Sequence, residues 1–361
     1  MSKTILYIGG FELPDKNAAA QRVIGIAKGL KELGHNVVFL NSVKKYEAEG
    51  IKEIEYFGFR CYEYKREKEA DFLFTGQTAL SMIKQVNPDA IIAYNYPALA
   101  LDRIRKYCRE NQKRCFADAT EWYQAVGENA IYRIIKNLDT AYRMRWVQKR
   151  LDGVIAISRF LYDYYKDYVN TVLVPPTVDM SDEKWNILAE KDTDVVSFVY
   201  AGVPIALKEK LDVIVKAFSE AEKRNNVKLN VVGVTEEQFK ELYNWNDVIP
   251  ASVSFWGRIE HTEVIKLVKE SDWAIILRDN NRVVKAGFPT KLVESISCGT
   301  PVIVNRFSNI EDYLNETNCI LIESMDELNI AIERASLSKV CPDRALFDYR
   351  EYTSALEEFL K

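Results

Sequence analysis

Thr4-Ile5-Leu6-Tyr7-Ile8-Gly9-Gly10 near the start of the chain and Val37-Val38-Phe39-Leu40 after it are the two stretches that decide the fold. The first is an apolar run stopped by two glycines. Between the two, Val23, Ile26, Ala27, Leu30 and Leu33 recur at the spacing of one helix face, and Gly34-His35 closes that helix. Strand, glycine turn, helix and strand in this order predict a βαβ unit. The right-handed preference of its crossover builds a parallel sheet.

Working outward, strand-like runs recur at 90–93, 115–117, 154–157 and 172–174 before Pro175-Pro176 breaks the chain. A polar connection over 179–193 follows. The rhythm then restarts with Val196-Ser197-Phe198-Val199-Tyr200, Gly202 and a helix over 211–221. Further strands are predicted at 229–232, 253–256, 273–277, 302–304 and 320–322. The length of 361 residues accommodates two domains of roughly 100–200 residues each. The expected fold class is α/β, with two Rossmann-like doubly wound domains facing each other across a cleft. The expected division is 1–176 and 177–342, with 343–361 helical. Ligands of such sheets bind beyond the carboxyl ends of the strands, so the turns at Gly9 and Gly202 should face the cleft.

Composition narrows the function. The 49 Lys+Arg and 53 Asp+Glu residues give a net charge of −4, which argues against wholesale electrostatic binding of nucleic acid. There are two histidines, His35 and His261, so few imidazole bases are on offer. The six cysteines form no Cys-x-x-Cys and read as reduced thiols of a cytoplasmic protein. No apolar run reaches the roughly 18–20 residues of a membrane span. The first turn lacks Gly-x-Gly-x-x-Gly, which weakens a nicotinamide-dependent oxidoreductase.

The richest stretch for chemistry runs from Arg278 to Val304. Pro289 fits the first helical position, and the N-terminus of the helix it opens presents free backbone N–H groups suited to a diphosphate. Glu294 lies five residues further, roughly 7.5 Å along the axis, within range of a nucleotide ribose, whose hydroxyls a carboxylate can accept. A plain i,i+3 pair with Lys291 is the competing reading.

Ala286-Gly287-Phe288-Pro289-Thr290-Lys291-Leu292-Val293-Glu294, followed by Cys298-Gly299-Thr300-Pro301-Val302-Ile303, resembles the signature of group 1 (family 4) retaining glycosyltransferases. Gly34-His35-Asn36-Val37, residues 153–158, Pro175-Pro176-Thr177-Val178-Asp179 and residues 255–259 match weaker motifs of that family in the expected order. The resemblance implies the GT-B fold, with the terminal helical segment 343–361 crossing back to join 1–176 in the first domain. It implies a nucleotide-sugar substrate held mainly by the second domain, with no cofactor and no metal. The acceptor would be a saccharide or a lipid-linked saccharide, in surface polysaccharide or glycoconjugate synthesis. Donor contacts are then expected at Gly10, Gly202, Lys208, Arg258, Arg278, Gly287, Phe288, Pro289, Thr290 and Glu294. Lys208 matches the family's phosphate-binding lysine, while Val203 replaces its usual arginine, a role that Arg278 could take over. Asp118 and Glu121 stand near the family's sugar-contacting histidine and, with Lys208 and Arg278, are the catalytic candidates. Asn17, Arg22, Tyr94, Asn95 and Trp122 are expected on the acceptor side.

The family commonly places a glutamate where this chain has Ala286. That departure supports an alternative, a catalytically silent sugar-nucleotide-binding subunit that regulates or scaffolds a partner. Finally, residues 131–150 hold Arg133, Lys136, Arg143, Arg145, Lys149 and Arg150 against the single acid Asp139, interleaved with apolar residues. Two readings apply: a basic amphipathic helix in peripheral contact with an anionic membrane, or an ordinary helix packed by its apolar face on the first sheet.

Overall fold

The computed structural model describes residues 2–14, 18–43, 50–66, 71–124, 130–191, 194–205, 208–308 and 310–361. The chain divides into two compact units. The first comprises Met1–Thr177, Lys285–Phe288 and Tyr349–Lys361, and the second Val178–Val284 and Pro289–Asp348. Residues 343–348 therefore stay with the second unit, where the sequence reading had assigned them to the first.

In the first unit, β1 (Thr4–Gly9), α1 (Ala18–Glu32) and β2 (Asn36–Val43) form the expected crossover, with Tyr7 opposite Phe39 in a parallel register. A hairpin follows, β3 (Ile51–Tyr56) and β4 (Phe59–Lys65). Its two-residue turn, Phe57-Gly58, has φ of 52° and 73°, as a turn matched to strand twist requires. Then come α2 (Gln77–Val86), β5 (Ala90–Tyr94), α3 (Ala98–Glu110), β6 (Arg114–Ala119), α4 (Ala130–Tyr142), β7 (Gly153–Ala156), α5 (Arg159–Tyr165) and β8 (Asn170–Leu173). The sheet order is β3-β4-β2-β1-β5-β6-β7-β8, with β3 the antiparallel strand at its edge. Its order reverses between β1 and β5. The core at that point is aromatic: Tyr7, Phe11, Phe39 and Tyr94 pack with ring centroids 5.6–5.9 Å apart.

The second unit holds β9 (Val196–Ala201), α6 (Leu211–Ala221), β10 (Val227–Val232), α7 (Glu236–Tyr243), β11 (Val253–Gly257), α8 (His261–Glu270), β12 (Trp273–Ile276), α9 (Arg282–Ala286), α10 (Thr290–Cys298), β13 (Val302–Asn305), β14 (Cys319–Ile322) and α11 (Leu328–Leu337). Only the end of α9 falls outside the unit. The sheet is wholly parallel in the order β11-β10-β9-β12-β13-β14, reversing between β9 and β12.

Residues 343–361 are not one helix. Two single 3-10 turns, Arg344–Phe347 and Tyr349–Tyr352, precede α12 (Thr353–Phe359). Asp343 caps the first turn, and the Arg344 guanidinium donates to the carbonyls of Ser297 and Trp185 at 3.0 and 2.6 Å, which holds this part of the chain on the second unit. Within the first unit α12 buries Leu356 and Phe359, and Phe359 packs on Phe116 at 4.9 Å. Gly153 admits that close approach, since a Cβ there would lie 2.6 Å from the Phe359 ring.

One buried ion pair ties the first sheet to its helix. Asp118, at the end of β6, has no exposed surface, and Arg22 of α1 is 2% exposed. Arg22 Nη2 and Nε donate to Asp118 Oδ1 at 2.7 and 2.9 Å, and Arg22 Nη1 donates to the carbonyls of Val174 and Pro175 at 2.8 and 3.2 Å. The Tyr7 hydroxyl donates to Asp118 Oδ2 at 2.5 Å; burial, reinforced by Asp118, pushes that phenol well above its ordinary range. Removing one partner leaves an uncompensated buried charge, which costs about 3–5 kcal/mol. Arg22→Met is accordingly expected to lower the stability read from urea unfolding by that amount, whereas a loss under about 1 kcal/mol, the range of an exposed pair, would show that the pair is dispensable.

Candidate functional site

The reversal between β9 and β12 is where an open parallel sheet leaves room for a ligand. The chain beyond β9 is bonded to the chain beyond β12 there. Lys210 N donates to the Leu277 carbonyl and Asp279 N to the Lys208 carbonyl, both at 3.0 Å, around a bridge that pairs Glu209 with Arg278. This fixes Glu209, 4% exposed, beneath the strand ends. Its carboxylate accepts from Arg278 Nη2 at 2.7 Å and from Lys291 Nζ at 2.6 Å, and also from the Tyr200 hydroxyl. Lys291, in the first turn of α10, lies 3.8 Å from the centroid of the Tyr200 ring and donates to its hydroxyl at 2.5 Å.

Gly202 makes room for that lysine. Its φ is 121°, and a Cβ would lie 2.7 Å from Lys291 Cε. Gly233 and Gly257, which follow β10 and end β11, also have positive φ, of 105° and 64°. Three neighbouring strand ends thus carry no side chain, and at Gly233 a Cβ would lie 2.5 Å from the Gly202 backbone. Lys208 is half-buried, and Arg258 is exposed just beyond β11. Pro289 caps α10 from outside, one position earlier than the sequence reading placed it, and offers no side-chain hydrogen bond to the first turn. Glu294, at 22% exposure, pairs with His261 Nε2 at 3.1 Å rather than with Lys291. The pair with Lys291 fails because Glu209 holds that ammonium. Arg278, expected to face a phosphate freely, is likewise bound to Glu209, and its Nε is buried with no hydrogen-bond partner among the described residues.

The remaining expected residues belong to the first unit. Asp118 and Arg22 are the counter-ions described above, so neither presents a free charged atom. Tyr94 and Asn95 meet Thr120: Asn95 Nδ2 donates to Thr120 Oγ1 at 2.6 Å, and the Thr120 hydroxyl lies 3.4 Å from the Tyr94 oxygen. Burial, opposed by that hydrogen bond, pushes the Tyr94 phenol up to about 12. Asn95 holds φ 40°, and its carbonyl accepts from the buried Arg143 at 2.8 Å. Glu121 is half-buried. Trp122 is core, 7% exposed, and packs edge-on against Tyr164 at 4.9 Å, so it has no free face for a sugar. At Gly10 a Cβ would lie 2.7 Å from Arg66 Nη2. Gly287 and Phe288 also fall in this unit, and the Ser158 hydroxyl donates to the neighbouring Ala286 carbonyl at 2.9 Å. Ala286 is fully buried. Asn17 lies outside the described residues.

Sequence reasoning missed Glu209, Tyr200 and the role of His261. An acid directly after the phosphate-type lysine was a weak signal, since an unburied Glu reads the same. The one Asp-x-Asp tripeptide of the chain, 192–194, falls in the polar connection ahead of β9, and its first two residues are outside the described set. Among the described residues, no group of three His, Cys, Asp or Glu could hold a metal ion.

Charge and burial set the protonation of the cluster. Burial alone would raise the Glu209 carboxyl, but Lys291, Arg278 and the Tyr200 hydrogen bond together hold it below the usual range. Burial lowers Lys291 to about 8 against the pull of Glu209. A lysine depressed on folding is more protonated in the unfolded chain between about 8 and its ordinary value near 10.5. Its burial penalty is therefore fully present below pH 8 and is relieved as the pH rises through that window. The stability of the wild type relative to Lys291→Met should rise between pH 8 and 10, by at most about 1.4 kcal/mol per pH unit; a flat difference in urea unfolding across that window would contradict the assignment.

The glycosyl transferases group 1 family model matches residues 164–351, just over half of the chain. No curated protein matches the sequence. Solved structures match over the full length at low identity. Sucrose-phosphate synthase from Thermosynechococcus elongatus is 17% identical with a TM-score of 0.63, covering 99% of this chain and 96% of that one. The catalytic domain of starch synthase IV from Arabidopsis thaliana, bound to ADP and acarbose, is 11% identical with a TM-score of 0.66, covering 99% of both. Anabaena HepE in complex with UDP and glucose is 14% identical with a TM-score of 0.63, also covering 99% of both. These likenesses show the two-sheet GT-B fold, and the match to the family model shows the family: the chain belongs to the group 1 glycosyl transferases.

Proposed function

We propose that this protein is a retaining, metal-independent glycosyltransferase. It moves a sugar from a nucleotide-sugar donor to a saccharide or lipid-linked saccharide acceptor in the cytoplasm, in polysaccharide or glycoconjugate synthesis. The observation that carries this reading is the cluster at the sheet reversal of the second unit. Glu209, Arg278 and Lys291 leave one positive charge in excess in a mostly buried site, beside three glycine strand ends and the uncapped first turn of α10. A diphosphate supplies the missing negative charge. Lys208, half-buried and without a side-chain ion pair among the described residues, is the third cation of the set, and Glu209 holds the other two in place.

In the proposed reaction the acceptor hydroxyl attacks the anomeric carbon from the face that the diphosphate leaves. The carbon–phosphate oxygen bond breaks, the new glycosidic bond forms, and the departing phosphate oxygen takes the acceptor proton. Charge developing on the phosphate is what the cations and the α10 N-terminus stabilise. Glu294 accepts from the ribose hydroxyls and His261 orients it. Of the two acids among the catalytic candidates, Glu121 keeps exposed surface and Asp118 does not. The UDP and ADP in the comparison structures named above support a nucleotide donor. All six cysteines are free thiols, which suits a reducing compartment.

A second reading, a silent sugar-nucleotide-binding subunit, rests on Ala286. Its position is fully buried, and a methyl stands where the family resemblance expects a carboxylate. A thermal-shift screen across nucleoside diphosphates, followed by NMR of the product anomer, separates the two. Transfer with retained anomeric configuration is expected; nucleotide binding without turnover on any acceptor would favour the silent subunit, and an inverted product would overturn retention. Glu294→Ala should weaken nucleotide binding by about 1.5–3 kcal/mol, roughly 10- to 150-fold, with the fold intact. Unchanged affinity in isothermal titration would remove the ribose assignment.

A further inference from the structure

The α4 helix contradicts the packed-helix reading of residues 131–150. Thr140 is its one buried residue, and the apolar side chains that should face a sheet face solvent instead. Ile134 is 59% exposed, Ile135 46% and Leu138 64%, with Trp146 at 49% in the turn that follows. Ile131, Ile134, Ile135, Leu138 and Tyr142 recur at i, i+3, i+4, i+7 and i+11, a single stripe about 100° wide. The anchor lies beyond it, where Met144, Val147 and Gln148 are buried and Arg143 donates to the Asn95 carbonyl.

The polar part of the segment is cationic. Arg133, Arg145 and Arg150 are exposed and Lys136 and Lys149 half-exposed. The single acid does not offset them at the surface, because Asp139 accepts from Ala98 N at 2.8 Å and so serves the start of α3. Arg150 stacks on Trp146 at 3.4 Å, which places a cation on an amphipathic ring. We propose that residues 131–150 seat the protein peripherally on an anionic lipid bilayer, with the Ile134–Leu138 face in the acyl boundary and Arg133, Lys136, Arg145, Lys149 and Arg150 at the headgroups. Thirteen residues of helix span roughly 20 Å, too short to cross a bilayer but suited to lying in its plane. Among the described residues, no helix is long and apolar enough to span a membrane. A second copy of the chain is the poorer occupant. It would double the positive charge at the contact with only one acid per chain to offset it, whereas anionic headgroups neutralise the cations while the acyl region takes the stripe.

The test is flotation of the full chain with vesicles of phosphatidylcholine and phosphatidylglycerol, against vesicles of phosphatidylcholine alone. Binding to the anionic vesicles at low salt is expected, falling about tenfold or more in 0.5 M NaCl as headgroup attraction is screened. Ile134→Glu with Leu138→Glu should cut binding about tenfold or more while the circular-dichroism melt stays unchanged, since both side chains are exposed. Arg145→Glu provides an independent variant that should reduce anionic binding alone. Three results would each overturn the proposal: no binding at low salt, equal binding to neutral vesicles, or binding indifferent to all of these variants. A wild-type dimer that Ile134→Glu with Leu138→Glu turns into a monomer would assign the face to a second copy instead.

Discussion

A carboxylate that must not be left alone organises the second unit. Glu209 sits under the strand ends with almost no access to solvent. At that depth its charge persists only because Arg278, Lys291 and the Tyr200 hydroxyl reach it from three separate elements. Meeting that demand fixes the first turn of α10 against β9. It also requires Gly202 to have no side chain and leaves the site with surplus positive charge. The same interactions that make a buried acid tolerable leave the cluster with one cation more than acids, the charge on which the proposed donor site rests. In the proposed site a guanidinium is present although Val203 stands where the family resemblance expects an arginine: Arg278 arrives from beyond β12 and is steadied by Glu209.

The first unit meets a similar problem with a different result. Arg22 and Asp118 are fully engaged with each other, with Tyr7 and with two carbonyls, so their charges are spent on joining α1, β1, β6 and the end of β8. A buried ion pair saturated in this way is a structural device, and residues of chemical type suited to a site become part of the scaffold beneath it. What remains accessible near those strand ends is more modest: the half-buried Glu121 and the Asn95–Thr120 pair.

Most strands and the paired glycine turns were legible in the sequence because parallel strands buried on both faces read as short apolar runs, and a helix face reads as a repeat near 3.6. The β3–β4 hairpin was not, because its strand β3 is an exposed edge with little apolar contrast. The terminal stretch kept a helix-like pattern of apolar residues, yet side-chain caps and the Arg344 hydrogen bonds shaped it into turns. Segment 131–150 was ambiguous for a different reason: amphipathic periodicity says which side chains share a face and is silent about what that face meets.

By itself, therefore, the sequence determined the α/β rhythm, the count of two sheets, the family signature around Pro289–Glu294 and the shortage of histidine. These depend on local order along the chain. Only the tertiary structure decided which charges are spent and which are available. Arg278 and Lys291 belong to Glu209, Arg22 belongs to Asp118, Glu294 has His261 as its partner, and the stripe of α4 is left uncovered. The physical reason is that burial and pairing are properties of residues far apart in sequence, and the ionisation and use of a charged side chain follow from its surroundings rather than from its type.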